Sequence, residues 1–596
     1  MADESNLCEE SHHVCQPIHT IEDLLQFEQN PVSWRNLVLP ITPRSKSRYL
    51  GAEYQEIDFD DGAVEFVEDR DRPQVLLCHD FKGNYLADRY INGTTGGQWV
   101  DYRFYNWAAI DVFCYFSHHF VTIPTLQWLN CAHKNGVRVI GTFIIEGGNV
   151  MLLKEILQSE VFLRKVADAL VTVAKVCQFQ GWLLNIECTL ESEKMPLLKQ
   201  FVAYLTRRSH EQIPGSEIIW YDAITEQGVL SWQNELNSQN KSFFEACDGI
   251  FLNYTWTRQH LERSESIIRS RYPDRKLDVY VGIDVFGRGQ KAKLDTHDTL
   301  AAIRKFEFSV AIFAPGWTFE SLEESMRRDQ LDQESSNLRF LKLNNRFWNL
   351  LWRYLFVRGP KQLPFYTSFC LGSGKLRNRL GKHESDSWFN LSRQWFQPSI
   401  PYTPPKENEH DNVGPVYWTH SFDTALDGGS CVKLEEAHPN CRLFACDFAC
   451  DSDLIVSYAF QRSSAASADV CLLLKAYDRR YHNSLKIVCG SDECHVSGRK
   501  NEMKAHLLSV EDCRTLPKLK ADIRLPAMTN INGWEIRYYY LAFKTLGQPV
   551  SIVDIGVEIW KDYPKDYILL GAISLQAGFP TSRTRVAKRT TVSFDM

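Results

Sequence analysis

No part of the chain approaches the roughly 18 uninterrupted apolar residues that a membrane span needs. The apolar stretch Phe347–Val357 is interrupted by Asn349 and Arg353. The opening residues, MADESNLCEESHHVCQPIHT, have neither the basic start nor the apolar centre of a secretory signal. A basic excess is missing too. With 67 Lys and Arg against 74 Asp and Glu, the net charge is −7, which implies no general attraction to nucleic acid. The 17 cysteines form no C-x-x-C pair, and no H-E-x-x-H or clustered acidic loop occurs, so neither a metal nor a cofactor is expected. These absences predict a resident soluble protein of the cytosol, with reduced thiols and neither membrane nor nucleic-acid partners.

What is present is the balance of an ordinary globular protein, 44% hydrophobic and 24% charged. A length of 596 residues leaves room for about three to five domains, or fewer if one is a large α/β barrel. Sixteen Trp, 24 Tyr and 34 Phe suit sugar stacking and large cores alike. Cys78, Cys114, Cys177 and Cys247 lie in or beside apolar runs, where a thiol behaves as a small hydrophobe. Cys441, Cys446 and Cys450, preceded by His438, cluster most closely, but their spacing is no zinc pattern and they read as structural thiols.

Between about 75 and 320, short β-branched and aromatic runs alternate with helix-like stretches. The runs are Val75–His79, Asp111–Phe116, Val137–Ile145, Gly181–Ile186, Ile218–Tyr221, Gly249–Tyr254, Val279–Asp284 and Val310–Ala314. Their spacing leaves room for one helix and two loops between neighbours, and uninterrupted apolar runs are what parallel strands buried on both faces require. Lys154–Cys177 and Glu191–Arg208 are amphipathic helix candidates. Eight such repeats predict an α/β (β/α)8 barrel. An open doubly wound sheet is the competitor, but no Gly-rich phosphate turn follows the first run.

Asn344–Val357 looks like one more helix, broken by Arg358–Pro364. Farther on, Leu454–Tyr458, Val470–Ala476, Trp534–Ala542 and Val550–Ile559 read as antiparallel strands of one or more β-sandwich modules, suited to binding sugar or simply to packing. The expected organisation is a flexible N-terminal segment (1–30), the barrel (31–345), a connecting segment packed on it (346–400), the sandwich region (401–565) and a tail (566–596). Pro401–Gly414 has the composition of a linker. Arg583, Arg585, Lys588 and Arg589 give the tail its solvated character.

In a barrel, the loops after the strands build the active face. The fourth run, QGWLLNIE, sets Asn185 and Glu187 two residues apart at a strand end. Period-two geometry turns both toward the barrel mouth. One carboxylate and one amide cannot form the two-acid pair of ordinary glycosidases. They suit a substrate-assisted reaction, in which a 2-acetamido oxygen attacks the anomeric carbon, Glu187 shuttles the proton and Asn185 holds the acetamide.

With GWLLNIE stand VLLCHDFKGNY (75–85), IDVFCYFSHHFVTIP (110–124), NGVRVIGTFIIEGG (135–148), WYDAIT (220–225), FLNYTW (251–256), VGIDVFGRG (281–289) and LPFYTSFCLGSGK (363–375). Together these stretches resemble the endo-β-N-acetylglucosaminidases of glycoside hydrolase family 85, strongly over about 30–400. The related chitinase pattern has D-x-E where Asn185 stands here.

The resemblance implies cleavage, with retention, of the GlcNAcβ1-4GlcNAc bond of the N-glycan core. It implies N-glycans, free oligosaccharides and glycopeptides as partners. Glu187 would serve as acid then base, Asn185 would orient the acetamide, Tyr221 would help hold the intermediate, and Trp232 would face the acceptor side. Trp256, His79, His118, Glu146 and Asp284 are further candidates for lining the sugar cleft. The alternatives are a chitinase-like hexosaminidase and a non-catalytic glycan-binding protein on the same barrel.

Overall fold

The computed structural model describes residues 14–31, 34–49, 64, 66–68, 71–287, 296–399, 417–435, 441–463, 468–494, 501–516, 525–526, 529–543, 550–561, 563, 565–578, 589–592 and 594. The linker Pro401–Gly414, His438, Arg288, Gly289, Arg583, Arg585 and Lys588 lie outside the described residues. The chain divides into two compact units, one of Met1–Ile41, Glu68–Gly93 and Ile110–Phe347, the other of Thr42–Val67, Thr94–Ala109 and Trp348–Met596.

All eight apolar runs of the first unit are strands: β1 Val75–His79, β2 Val112–Tyr115, β3 Arg138–Glu146, β4 Gly181–Glu187, β5 Glu217–Tyr221, β6 Gly249–Leu252, β7 Val279–Asp284 and β8 Ser309–Phe313. They pair in parallel in the order β2-β1-β8-β7-β6-β5-β4-β3, and β2 also pairs with β3. The sheet therefore closes into a barrel, which excludes the open alternative. Val121–Thr122 adds an antiparallel pair to β3.

The strands are buried along nearly their whole length, because their inner sides meet in the barrel and their outer sides meet helices. Leu76, Cys78, Val112, Cys114, Ile140, Ile144, Leu183, Ile219, Phe251 and Ala311 share the inner core. At the strand starts, Glu217 takes an ion pair from Arg138 Nη1 at 2.8 Å and a hydrogen bond from the Tyr280 hydroxyl at 3.0 Å. These partners oppose the upward push that burial gives the Glu217 pKa.

The first expected helix is divided in two, Val150–Ile156 and Glu160–Cys177. Ser159 ends the continuity because its side chain accepts the amide of Phe162 as an N-cap. The next helix spans Met195–Gln212, entered through a short 3-10 turn at Ser192–Lys194.

The helix expected at Asn344–Val357 runs instead over Gln333–Trp352. Phe356–Val357 leaves it to pair antiparallel with Arg48–Tyr49, a partner some 300 residues away that local pattern cannot reveal. In the second unit, one sheet orders Thr419–Ser421, Cys431–Leu434, Ile568–Gly578, Asp453–Arg462, Trp534–Phe543 and Asn530–Ile531. The other orders Cys441–Ala449, Val550–Lys561, Ala468–Asp478, Asn483–Cys489 and Glu502–Lys504. Val456 and Tyr458 of the first sheet share a core with Leu472 and Ile555 of the second, the arrangement of a sandwich. Ile568–Gly578, counted with the tail from sequence, is an inner strand bonded to Asp453–Arg462 and to Cys431–Leu434. Cys441, Cys446 and Cys450 are buried, and burial pushes all three thiols upward.

At the head of β2, Asp111 receives both Arg72 guanidinium nitrogens, at 2.6 and 3.0 Å, and the amide of Val75 at 2.9 Å. Arg72 is 2% exposed, so removing the Asp111 carboxylate leaves a buried cation without its counter-charge. Asp111→Ala is expected to lower unfolding free energy by about 3–5 kcal/mol, measured by urea denaturation.

Candidate active site

The register of β3 on β4 sets Ile144 beside Asn185 and Glu146 beside Glu187. Leu183 lies in the inner core, so the two-residue repeat carries Asn185 and then Glu187 up the same inner side to the mouth. Asn185 is 4% exposed and Glu187 half-buried. Among the described residues, the side-chain oxygen Oδ1 of Asn185 has no hydrogen-bond partner. A buried carbonyl oxygen without a donor costs about 1–3 kcal/mol and is an acceptor in waiting.

Tyr221 ends β5 on the same inner side, packed edge-on against Phe251 at 5.2 Å between ring centres. Its hydroxyl donates to Asn253 Oδ1 at 2.9 Å. The neighbouring phenol of Tyr254 hydrogen-bonds to Tyr221, and its pKa is pushed up by burial and further by Tyr221 and Asp284. Asp284 is fully buried at the end of β7, where Oδ1 accepts the amide of Phe286 at 3.1 Å.

Glu146 and His118 meet at the rim, Nδ1 to Oε1 3.0 Å apart, both partly open to solvent. Close to them Gly83 has φ +61, and a Cβ there would come within 2.7 Å of His118 Cδ2. Trp256, half-buried, ties its indole N–H to the Gly282 carbonyl at 2.8 Å. Trp232 is 41% exposed on the loop after β5.

That loop is fastened from below by Asp222, which is 1% exposed. Its Oδ2 accepts the amides of Gln233 at 3.1 Å and Asn234 at 2.7 Å, and Oδ1 accepts Asn240 Nδ2 at 2.9 Å. Burial pushes the Asp222 carboxyl up to about 6, against the pull of these donors. Gly228, at φ +81, lets the loop reach the one after β4. Its carbonyl accepts the Leu190 amide at 2.9 Å, and a Cβ there would collide with the Leu190 oxygen at 2.0 Å.

The structure thus brings Asn185, Glu187, Tyr221, Glu146, His118 and Asp284 to the inner side or rim of the mouth. His79 is not among them. It is the last residue of β1, and Cys78 before it takes the inner side. The His79 ring lies 4.6 Å from Trp128, on the helix Leu126–Lys134, and 5.5 Å from both Phe113 and Tyr115. The run VLLCH is apolar throughout and carries no alternation from which its facing could be read. Asn253 and Tyr254, which touch Tyr221, stand at a strand end in FLNYTW, one strand beyond WYDAIT, and carry no role assigned from sequence.

Residues 85–377 match the family model for glycosyl hydrolase family 85. Cytosolic endo-beta-N-acetylglucosaminidase of Homo sapiens is 38% identical over 442 residues, which is 72% of this chain and 54% of that protein. The protein of that name from Gallus gallus is 44% identical over 373 residues, 62% of this chain and 47% of that one.

The chain belongs to glycosyl hydrolase family 85.

It spans about half the length of the curated family 85 relatives it matches. The glycoside hydrolase domain of Endo-D from Streptococcus pneumoniae R6 has the same fold. Its crystal structure superposes with a TM-score of 0.64 at 16% identity, covering 95% of this chain and 83% of that one.

Among the sequence candidates, His79 has the most unusual titration. Burial lowers its pKa to about 3, far below the ordinary histidine value. The unfolded chain then takes up a proton near pH 6.5 while the folded one stays neutral, so His79 weakens the fold progressively as pH falls from about 6.5 toward 3. The slope from this one group is at most about 1.4 kcal/mol per pH unit. His79→Leu is expected to flatten the loss of stability over that window, measured by denaturation at a series of pH values.

Proposed function

We propose that the chain is a retaining endo-β-N-acetylglucosaminidase that cuts the GlcNAcβ1-4GlcNAc bond of the N-glycan core through an oxazoline intermediate. Its substrates, on the family resemblance, are free oligosaccharides, glycoproteins and glycopeptides. It works in the cytosol, a place that the names of its relatives give for them. Among the described residues no helix is long and apolar enough to cross a membrane. The observation that carries the reading is the pairing, on one inner face of β4, of a buried amide oxygen without a donor and a carboxyl two residues nearer solvent.

The chemistry follows from those two groups. The acetamide carbonyl oxygen attacks C1 while the bond from C1 to the leaving oxygen breaks, and Glu187 gives that oxygen its proton. As the acetamide nitrogen gains positive charge, its N–H bonds more strongly to Asn185 Oδ1, so the interaction favours the transition state over the ground state. Glu187, now a carboxylate, takes a proton from water, and the water oxygen attacks C1 and reopens the ring. Two inversions at C1 give retention. Tyr221, held by Asn253, supports the acetamide from the next strand.

Mass spectrometry of the product from one defined N-glycopeptide tests the bond assignment: a single GlcNAc left on asparagine is expected, and release of the intact glycan would overturn it. Glu187→Gln is expected to lower hydrolysis by at least about 10²-fold. Asn185→Ala is expected to lose glycopeptide hydrolysis but to keep reaction with a preformed sugar oxazoline, for which the step it assists is already complete. Equal losses with both donors would refute its role.

A further inference from the structure

The hydroxyl of Tyr221 is the end of a chain of hydrogen bonds that starts at Asp222. The carboxylate holds the Asn234 amide at 2.7 Å. Asn234 Oδ1 accepts Asn253 Nδ2 at 2.7 Å, and Asn253 Oδ1 accepts the Tyr221 hydroxyl at 2.9 Å. Each link fixes the direction of the next. Because Asn253 Nδ2 is committed to Asn234, its oxygen must face Tyr221, and the phenol proton must point to Asn253.

The middle of the chain is over-determined. Asn234 sits at φ +60, a left-handed conformation that asparagine tolerates better than most residues. Its Oδ1 also accepts the Thr255 amide at 3.0 Å and the Thr255 hydroxyl at 2.6 Å. Asn240, fully buried, is bound both to Asp222 Oδ1 and to the Glu235 carbonyl at 2.8 Å. The same carboxylate also binds the Gln233 amide, the backbone adjoining Trp232.

We infer that Asp222 is a positioning residue: through Asn234 and Asn253 it sets the Tyr221 hydroxyl, and through Gln233 it fixes the Trp232 loop, so that one buried carboxylate aligns both sides of the cleft. The inference rests on the reading of Tyr221 given under Proposed function. Asp222 touches no reacting atom. It acts because a buried ion with several N–H donors holds them more rigidly than a neutral acceptor would.

A double-mutant cycle in the full chain tests it, with steady-state hydrolysis of a defined N-glycopeptide. Asp222→Asn keeps the shape and removes the charge. It is expected to lower kcat about tenfold in the presence of Tyr221 but less than about twofold in the Tyr221→Phe background, since the relay then has nothing to orient. It is also expected to raise KM in both backgrounds through the Trp232 loop. Losses in kcat that multiply independently would overturn the inference, because a merely structural defect would not depend on Tyr221. If Asp222→Asn does not fold, Asn253→Ala breaks the relay farther on and is put through the same cycle, with kcat falling and KM unchanged.

Amide hydrogen exchange of the unliganded protein gives a readout independent of turnover. Faster exchange at Gln233 and Asn234 in Asp222→Asn, with the barrel floor unchanged, is expected; unaltered exchange there would overturn the inference. Glycopeptide hydrolysis surviving in Glu187→Gln would instead overturn the proposed reaction, leaving the exchange result to decide the relay on its own.

Discussion

The site depends on the alternation of one strand inside a closed barrel. With Leu183 directed inward, Asn185 and Glu187 must follow on the same side, each one step nearer the opening. A shift of one residue in the pairing of β3 on β4 would send both outward among helices and bring Leu184 and Ile186 into the mouth. That error is costly because the outer side is as closely packed as the inner: Trp182 lies edge-on to Phe179 at 4.9 Å, and Trp220 of β5 stacks on Phe243 at 4.1 Å. The register that buries the tryptophans outside is the one that presents the amide and the acid inside.

The barrel is electrostatically different at its two ends. At the floor, Glu217 has a counter-charge in Arg138 and a hydroxyl donor in Tyr280. At the mouth, the buried oxygen of Asn185 has no donor among the described residues. The floor sets a charge against its counter-charge, whereas the mouth holds a neutral amide oxygen that a bound N–H could reach. The stability of the barrel offsets the local cost of that arrangement.

The eight strands were legible because a strand buried on both sides must be apolar at every position, and such runs stand out between amphipathic helices. The pair in GWLLNIE was legible because two residues of contrasting chemistry, two apart, share a face whichever face it is. The facing of His79 was not, since it depends on which side of an all-apolar run is inner. The break at Ser159 was visible only as a capping residue inside a helical pattern. The strand Ile568–Gly578 and the pairing of Phe356–Val357 depend on partners about a hundred or more residues away. Asp222 stands in WYDAIT, but its donors at Gln233, Asn234 and Asn240 come from a fold-back of the loop that no local periodicity announces.

The second unit draws on Thr42–Val67 and Thr94–Ala109 as well as on the chain after Trp348. Thr94–Thr95 extends a small sheet with Trp388–Phe389, and Arg48 reaches the Asp554 carboxylate at 3.1 Å. During synthesis these early segments wait about three hundred residues for their strand partners Phe356–Val357 and Trp388–Phe389, Arg48 waits 506 residues for Asp554, and an inner strand of the sandwich, Ile568–Gly578, follows later still. The first unit can close around its own consecutive repeats well before that. Assembly on the ribosome is therefore staggered, with the early segments of the second unit exposed longest to mispairing and chaperone capture.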